Sequence, residues 1–285
     1  MLTALITGGT SGIGSAFADA LARRGFGLVL VARGSDRLES TAARLRERFV
    51  VEVETIVADL ADPADVARVA ERVEDPRRPI DLLINNAGFS VKRTFSAEGQ
   101  DLHHAGIDVM CKTVLDLSSA AARAMTARGE GWILNVSSTS GEVTMGPYSA
   151  IKAWATTYTE SLAVELRGTG VRVMALLPGW VRTEFHARAG ISGSSIPDWM
   201  WLEADDLVET ALKDLARGRV VSVPTLRYKA IMLAARLAPR AVVRRCSGML
   251  MGSRAHETPL APIRSGAGEG AGPGATAADD EGTRA

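Results

Sequence analysis

The chain has 285 residues, of which 46% are hydrophobic, and its 33 basic and 33 acidic residues cancel to a formal net charge of zero. This length and apolar content suit one large domain with appendages, and the charge balance argues against a nucleic-acid-binding surface. Two separated cysteines and four histidines without metal-ligand spacing support neither a disulfide framework nor a metal site.

The N-terminus reads MLTALITGGTSG, which lacks the basic start and the long apolar stretch of a signal peptide. No stretch reaches the ~18 apolar residues that a membrane span needs. We therefore expect a soluble, cytoplasmic protein.

Short apolar runs alternate with amphipathic stretches along most of the chain. The runs predict strands at 4–6, 27–32, 51–57, 82–84, 131–136, 171–177 and 218–223. The amphipathic stretches predict helices at 14–24, 37–48, 63–73, 102–128, 148–167 and 204–217. Unbroken apolar strands are typical of parallel sheets buried on both faces. The pattern predicts an α/β protein: a Rossmann-type doubly wound parallel sheet flanked by helices on both faces.

The pattern changes after Pro224. Residues 226–251 form a basic amphipathic helical segment interrupted by Pro239, and residues 252–285 are a Gly/Ala-rich tail that we expect to be disordered. This leaves residues 1–225 as the main domain. The basic segment either covers a sheet edge, packs in a dimer, or makes weak contact with an anionic membrane surface.

A glycine-rich turn, TGGTSGIG at 7–14, joins the first predicted strand to the first helix. Glycines at 8, 12 and 14 allow a tight turn and close approach of the backbone to a pyrophosphate. The following helix N-terminus offers unpaired N–H donors and a positive dipole end. The turn therefore predicts a dinucleotide site, with a purely structural turn as the alternative.

Four further motifs follow in order: NNAG at 85–88, NVSS at 135–138, YSAIK at 148–152 and PGWVRT at 178–183. Over about residues 1–225, the set resembles the short-chain dehydrogenase/reductase family. The resemblance implies an NAD(P)-dependent oxidoreductase that transfers a hydride between nicotinamide and a carbonyl or alcohol. It also implies a homo-oligomer, commonly a dimer or a tetramer.

Arg33 stands at the end of the second predicted strand, where an NAD enzyme usually places an acidic residue. Its guanidinium suits the 2′-phosphate of NADP, and Arg37 is placed to assist. NADP is therefore the expected cofactor, with NAD as the alternative if Asp36 binds the ribose.

The resemblance also implies which residues bind the rest of the cofactor. Asp59 and Leu60 would flank the adenine, although Asp59 is alternatively a helix N-cap before Pro63. Val181 and Thr183 would hold the nicotinamide carboxamide. The other implied contacts are Gly8, Thr10, Ser11, Gly12, Ile13, Gly14, Asn86, Ala87, Gly88, Tyr148, Lys152, Pro178 and Gly179.

Tyr148 and Lys152 are four residues apart on a predicted helix and so share one face. Reduction of a carbonyl builds negative charge on its oxygen, which requires a proton donor. We expect Tyr148 to be that donor, with its pKa lowered by the Lys152 ammonium and the nicotinamide. Ser138 is expected to hydrogen-bond the substrate oxygen. Ser137 competes for this role, but the serine after the strand's end should point into the cleft.

Met110 departs from the family pattern, which generally has an asparagine at this place in the helix. Methionine is a poor hydrogen-bonding partner for the water that links the lysine to solvent. Either backbone carbonyls hold that water, or turnover is impaired. A non-catalytic nucleotide-sensing protein on the same fold is therefore the main alternative function.

Aromatic side chains between 184 and 201, among them Phe185, Trp199 and Trp201, fall where the family has a lid over its substrate. They indicate an apolar or lipid-like substrate, or else simply pack on the core. Only nine residues separate Ser138 from Tyr148, which should leave one flank of the pocket open. A lipid ketoreductase at a membrane surface is a further alternative.

Overall fold

A computed structural model describes residues 1–91, 93–184 and 197–252 of the chain. Phe185, in the expected lid, and the tail beyond 252 lie outside these ranges. No helix within them is both long and apolar enough to cross a bilayer.

The strands of the described chain build one large parallel sheet and one small one. In chain order they are β1 (Thr3–Thr7), β2 (Gly27–Ala32), β3 (Val53–Val57), β4 (Leu82–Asn85), β5 (Gly131–Val136), β6 (Val171–Leu176), β7 (Trp180–Val181), β8 (Trp201–Leu202) and β9 (Val221–Ser222). Seven form a parallel sheet in the order β3-β2-β1-β4-β5-β6-β9, while β7 pairs with β8. The expected Rossmann-type architecture is confirmed.

Helices cover both faces of the large sheet. They are α1 (Gly12–Ala22), α2 (Ser35–Phe49), α3 (Pro63–Glu74), α4 (Asp101–Ile107), α5 (Thr113–Arg128), α6 (Pro147–Glu165), α7 (Ala204–Ala216), α8 (Leu226–Leu237) and α9 (Arg240–Gly252). Alternate residues of one strand enter opposite layers of the core: Ile6 packs in one layer and Leu5 in the other, and neither is exposed. Burial on both faces explains why these strands read as unbroken apolar runs.

Two predicted helices differ from the structure. The helix expected over 102–128 is interrupted by a π-helical turn, Asp108–Lys112, in which the Thr113 N–H donates to the Asp108 carbonyl. The basic C-terminal segment is two helices, α8 and α9, because Pro239 lacks the N–H that a continuous helix would need. The two-residue strands β7 and β8 were not predicted, since runs so short carry no periodicity.

Candidate active site

The glycine-rich turn after β1 and the NNAG segment after β4 lie side by side at the carboxyl ends of neighbouring strands. In the strand order, β1 is where the chain reverses direction across the sheet, with β2 on one side and β4 on the other. Crevices at such switch points are the usual ligand sites of open parallel sheets. The cofactor motifs therefore meet where this fold binds ligands.

Hydrogen bonds from the NNAG segment fix the shape of the turn. The Asn86 side-chain amide donates to the Thr7 carbonyl at 2.9 Å and to the Gly8 carbonyl at 3.3 Å. The Thr7 hydroxyl accepts from the backbone N–H groups of Asn86 and Ala87 at 2.9 and 3.0 Å. The two cofactor segments are thus one hydrogen-bonded unit.

The glycines of the turn keep its crevice open. Gly8 and Gly12 have φ of +68° and +54°, which side-chain-bearing residues rarely adopt. A Cβ at Gly12 would lie 3.2 Å from the Thr183 Cβ, so the turn also adjoins the PGWVRT segment. Within the described part of the chain, the side chain of the N-cap residue Ser11 does not cap α1. This combination of a glycine cradle and a helix N-terminus fits a pyrophosphate.

The charged residues after β2 are exposed at the mouth of this crevice. Arg33 follows β2 directly, and Asp36 lies in the first turn of α2, where it accepts from the Ser35 hydroxyl at 3.1 Å. Arg37 donates to the Thr10 carbonyl at 3.1 Å and makes two bonds, of 3.0 and 2.6 Å, to the Glu184 carboxylate. Because Arg37 is engaged with a carboxylate, Arg33 is the better placed of the two arginines for a phosphate.

Asp59 and Leu60 follow β3 at the far side of the crevice. The Asp59 carboxylate accepts from the Ala61 N–H at 3.0 Å, and Leu60 is buried. The alternative role of Asp59 as a helix cap is wrong, because Asp62 caps α3 by accepting from the Ala64 N–H.

Tyr148 and Lys152 lie together on the first turns of α6. The Lys152 ammonium is 5.6 Å from the centre of the Tyr148 ring and donates to the Val136 carbonyl at 2.8 Å. It also lies 3.8 Å from where a Cβ of Gly88 would stand, which places it against the NNAG segment. The expected pairing of the phenol and the amine beside the cofactor crevice is therefore present.

Burial, and not mutual charge, dominates the protonation of this pair. Desolvation raises the pKa of Tyr148 well above its ordinary value and lowers the pKa of Lys152 to about 8. The phenol is therefore protonated at neutral pH, which is the state that a proton donor needs. The expected lowering of the tyrosine pKa, which counted the charges of the Lys152 ammonium and the nicotinamide together, stays a prediction for the cofactor-bound protein.

The buried Lys152 should destabilise the cofactor-free protein at neutral pH. Its pKa of about 8 lies below the unfolded value of 10.5, so between these pH values the unfolded chain binds more protons than the folded one. The free energy of unfolding therefore rises with pH across this window. We expect Lys152→Met to raise the free energy of unfolding by about 1–3 kcal/mol near pH 7, less the lost bond to Val136.

Urea denaturation of both cofactor-free proteins near pH 7 and near pH 10 measures this difference. The gain should shrink at the higher pH, where wild-type Lys152 is neutral. Lys229→Met, at an exposed lysine of α8, should show no such pH dependence. A difference in free energy of unfolding between Lys152→Met and wild type that is the same near pH 7 and near pH 10 would contradict the expectation.

The two competing serines have different environments. The buried Ser137 hydroxyl donates to the Lys152 carbonyl at 2.7 Å and lies 2.7 Å from the Thr156 hydroxyl. The partly exposed Ser138 hydroxyl accepts only one local bond, from the Ser140 N–H at 3.1 Å. Ser137 is thus used in packing β5 on α6, which leaves Ser138 as the candidate that can reach a substrate.

Met110 occupies the π-helical turn and is fully buried, with its sulfur packed against Gly88. The Asp108 carboxylate of the same turn pairs with the Lys112 ammonium at 2.7 Å. π turns rearrange backbone hydrogen bonds and frequently occur at functional sites. That backbone carbonyls hold the water in place of the asparagine stays a prediction.

The PGWVRT segment runs beside the catalytic candidates. The Pro178 carbonyl accepts from the N–H and the hydroxyl of Thr139, at 2.9 and 3.1 Å, which ties the segment to the Ser138 loop. Val181 is buried in β7, and Trp180 meets Trp201 edge to face at 6.0 Å. Trp199 is exposed.

The C-terminal helices cover the short loop between Ser138 and Tyr148. Arg236 of α8 pairs with Glu142 at 2.7 Å, and Ser247 of α9 accepts from the Thr144 N–H at 3.2 Å. These contacts place α8 and α9 against the loop, while the expected openness of that flank of the pocket stays a prediction.

A buried polar network that the motifs did not reveal supports the site. Asn85 donates to Ser118 at 3.0 Å and to Asn135 at 2.9 Å, and Asn135 donates to Thr159 at 3.0 Å. The network joins β4, β5, α5 and α6 directly beneath the catalytic candidates. The two asparagines were visible in the NNAG and NVSS motifs, but their partners come from helices distant in sequence.

Comparison with known proteins agrees with this geometry. The family model for short-chain dehydrogenases matches residues 2–191. An uncharacterized oxidoreductase of Staphylococcus saprophyticus is 34% identical over 226 residues, which are 77% of this chain and 93% of that protein.

Two solved structures resemble the whole described chain. A short-chain dehydrogenase from Sphingobium yanoikuyae, in complex with NADPH, shares 35% identity at a TM-score of 0.77, over 93% of this chain and 99% of that one. The bulky-bulky ketone specific alcohol dehydrogenase from Comamonas testosteroni shares 30% identity at a TM-score of 0.72, over 91% and 97%. Each structure covers a larger share of this chain than residues 1–225 represent. The likeness therefore extends into the C-terminal helices.

Proposed function

The chain belongs to the short-chain dehydrogenase family and is an NAD(P)-dependent oxidoreductase, and we propose that it uses NADPH to reduce the carbonyl of a bulky, apolar ketone. The observation that carries this proposal is the pairing of a protonated, desolvated Tyr148 with Lys152 against the NNAG segment. The cytoplasmic location expected from the sequence remains a prediction.

The residues present suit this cofactor. The Gly8–Gly12–Gly14 cradle and the α1 N-terminus are fit for the pyrophosphate, and Arg33 for a 2′-phosphate. Lys152, beside Gly88, would donate to ribose hydroxyls, and Val181 with Thr183 would hold the carboxamide. The chemistry that NADPH supplies when bound is the hydride.

The protein's own residues manage the proton. Tyr148 donates its phenol proton to the carbonyl oxygen as negative charge develops there, which is worth about 10²–10⁴-fold in rate. The Ser138 hydroxyl donates a second hydrogen bond to the same oxygen and so stabilises the charge. Lys152 holds positive charge close to the phenol below its pKa of about 8 and favours the phenolate left behind.

The substrate class is inferred from aromatic residues near the candidate site and from a relative. Phe89 follows the NNAG segment, Trp180 and Trp201 lie on the β7–β8 pair, and α8 and α9 contact the loop after Ser138. The similar Comamonas enzyme is a bulky-bulky ketone specific alcohol dehydrogenase. We therefore favour ketones of this kind over small aldehydes.

The test is a panel of small aldehydes, bulky ketones, steroids and ketoacyl thioesters, with NADPH oxidation followed by absorbance. Turnover of bulky ketones but not of acetaldehyde-sized substrates supports the proposal. Tight NADPH binding with no turnover of any substrate would instead favour the nucleotide-sensing alternative that Met110 raises.

Arg33→Ser should reduce the preference for NADPH over NADH. The exposed guanidinium is proposed to pair with the 2′-phosphate, and a hydrogen bond between charged groups contributes roughly 1.5–3 kcal/mol. We expect the ratio of kcat/KM for NADPH to that for NADH to fall roughly tenfold or more.

Arg37→Ser is the matched control, because Arg37 is already bonded to Glu184 and Thr10. It should change the NADPH-to-NADH ratio less than Arg33→Ser does. An unchanged ratio in the Arg33 variant would remove that residue from the phosphate site.

A second candidate function, a lipid ketoreductase acting at an anionic membrane surface, is favoured by α8 and α9. Leu226, Leu233 and Leu237 lie on the face of α8 opposite its buried residues, with 82, 58 and 76% of their surfaces exposed. Residues 226–252 contain six basic residues, Arg227, Lys229, Arg236, Arg240, Arg244 and Arg245, and no acidic one. Apolar side chains flanked by cations suit a lipid interface.

Co-sedimentation with phosphatidylserine vesicles tests this candidate. The double change Leu233→Ser and Leu237→Ser should lower the bound fraction severalfold relative to wild type. The matched change Val164→Ser, at an exposed apolar residue of α6, should leave binding unchanged. Equal sedimentation of all three proteins, or none of wild type, rules out the membrane candidate.

A further inference from the structure

Tyr228 of α8 is one of three tyrosines in the chain and is almost fully buried, with 3% of its surface exposed. Its hydroxyl accepts from the Trp180 N–H at 3.0 Å and donates to the Met200 carbonyl at 2.8 Å. One phenol group thus bonds both sides of the β7–β8 pair. Phenylalanine has the same ring but can form neither bond.

The ring of Tyr228 packs flat against the backbone at Gly179. A Cβ at that glycine would overlap the ring atoms, so only glycine permits this approach. The adjacent Arg227 donates to the Trp201 carbonyl at 2.7 Å. Helix α8 therefore holds residues 178–183 by contact on one side and holds β8 by hydrogen bonds on the other.

The held segment reaches the cofactor crevice. Trp180 pairs with Trp201 and Val181 with Leu202, and the Arg182 N–H donates to the Leu202 carbonyl at 2.9 Å. Thr183, two residues after Val181, lies beside Gly12 of the glycine-rich turn. A shift of Trp180 would therefore be passed along a short, hydrogen-bonded strand to Val181 and Thr183.

We propose that Tyr228 is a positioning residue, which fixes residues 178–183 so that Val181 and Thr183 hold the nicotinamide end of the cofactor in the orientation for hydride transfer. This inference rests on the proposed function, which assigns those two residues to the nicotinamide. It gives the C-terminal helix a role in catalysis in addition to its role in packing. A residue with this role should affect how the nicotinamide end of the dinucleotide binds and leave the binding of the other end unchanged.

The experiment compares wild type, Tyr228→Phe and the matched control Tyr158→Phe, whose hydroxyl contacts the Leu115 carbonyl at 3.5 Å and the Ser118 and Ser119 side chains of α5, not β7 or β8. Dissociation constants are measured for NADPH and for 2′-phospho-ADP-ribose, which lacks the nicotinamide. Tyr228→Phe should raise the dissociation constant for NADPH roughly tenfold, as expected for two lost hydrogen bonds. It should change the affinity for the analogue by less than about twofold. In ketone reduction, kcat should change by a larger factor than the KM for the ketone does.

If Tyr228→Phe weakens the binding of both ligands equally, or weakens the binding of neither, the positioning role is overturned. Failure of wild type to bind either ligand overturns the proposed function instead. If Tyr228→Phe does not fold, hydrogen exchange of the wild-type Trp180 amide decides the matter. Slow exchange in the absence of cofactor supports the inference, and exchange as fast as that of an open loop overturns it.

Discussion

Tyr148→Phe is expected to lower kcat for ketone reduction by about 10²–10⁴-fold, the usual contribution of a general acid. The change removes the proton donor but keeps the ring that packs beside Lys152. Because the wild-type phenol is protonated well above neutral pH, the loss should be of similar size across the neutral range. Steady-state kinetics with saturating NADPH measures it.

NADPH binding separates a chemical defect from a structural one. The dissociation constant should change by less than the rate does, since the glycine-rich turn and the NNAG segment are untouched. Tyr158→Phe, on the same helix, should retain wild-type kcat. A Tyr148→Phe enzyme that keeps more than about a tenth of wild-type kcat would mean that another group, or water, delivers the proton.

Burial explains both the chemistry and the cost of this site. Desolvation keeps the phenol protonated and brings the pKa of Lys152 to about 8, so one environment prepares a donor and a titratable cation. The same desolvation opposes folding, because the ammonium leaves water. Substitution of Lys152 should therefore stabilise the protein and inactivate it, as expected where function and stability compete.

The fold was predictable because its signals are local or strictly periodic. Buried strands such as Leu28–Val31 in β2 have no polar residue, and the helices between them end at glycines such as Gly129, with φ of +79°. Four of the five motifs were predictable for the same reason, since each lies where a strand ends. Tyr148 and Lys152 share a helix face whatever the rest of the chain does.

Features that depend on distant contacts were not predictable. The π-helical turn at Asp108–Lys112 has no period of its own, and Met110 gave no sign that the helix changes there. Tyr228 lies 48 residues from the Trp180 N–H that it accepts from, outside every motif. The raised pKa of Tyr148 in the protein without cofactor was not predictable either, because sequence reveals a neighbouring charge but not the depth of burial.

Gly14→Ala is expected to abolish tight cofactor binding. An alanine inside a helix is normally more stable than a glycine, by about 1 kcal/mol. Here, however, the methyl group would overlap the Gly8 carbonyl and lie 2.5 Å from the Asn86 side-chain nitrogen. Overpacking of this kind costs about 1–3 kcal/mol, and relief requires the turn to open or Asn86 to release it.

Either movement displaces the backbone that is proposed to surround the pyrophosphate, so the dissociation constant for NADPH should rise roughly 10–100-fold. Gly248→Ala makes the same chemical change in helix α9. There no atom of a described neighbour lies within 4 Å of the added methyl group, so NADPH binding should be unchanged. Isothermal titration of both variants measures the contrast. The Asn86 side chain bonds the Thr7 and Gly8 carbonyls of the turn. The binding of 2′-phospho-ADP-ribose should therefore weaken as much as the binding of NADPH does. A loss confined to NADPH would place Gly14 at the nicotinamide end and contradict the assignment of this turn to the pyrophosphate.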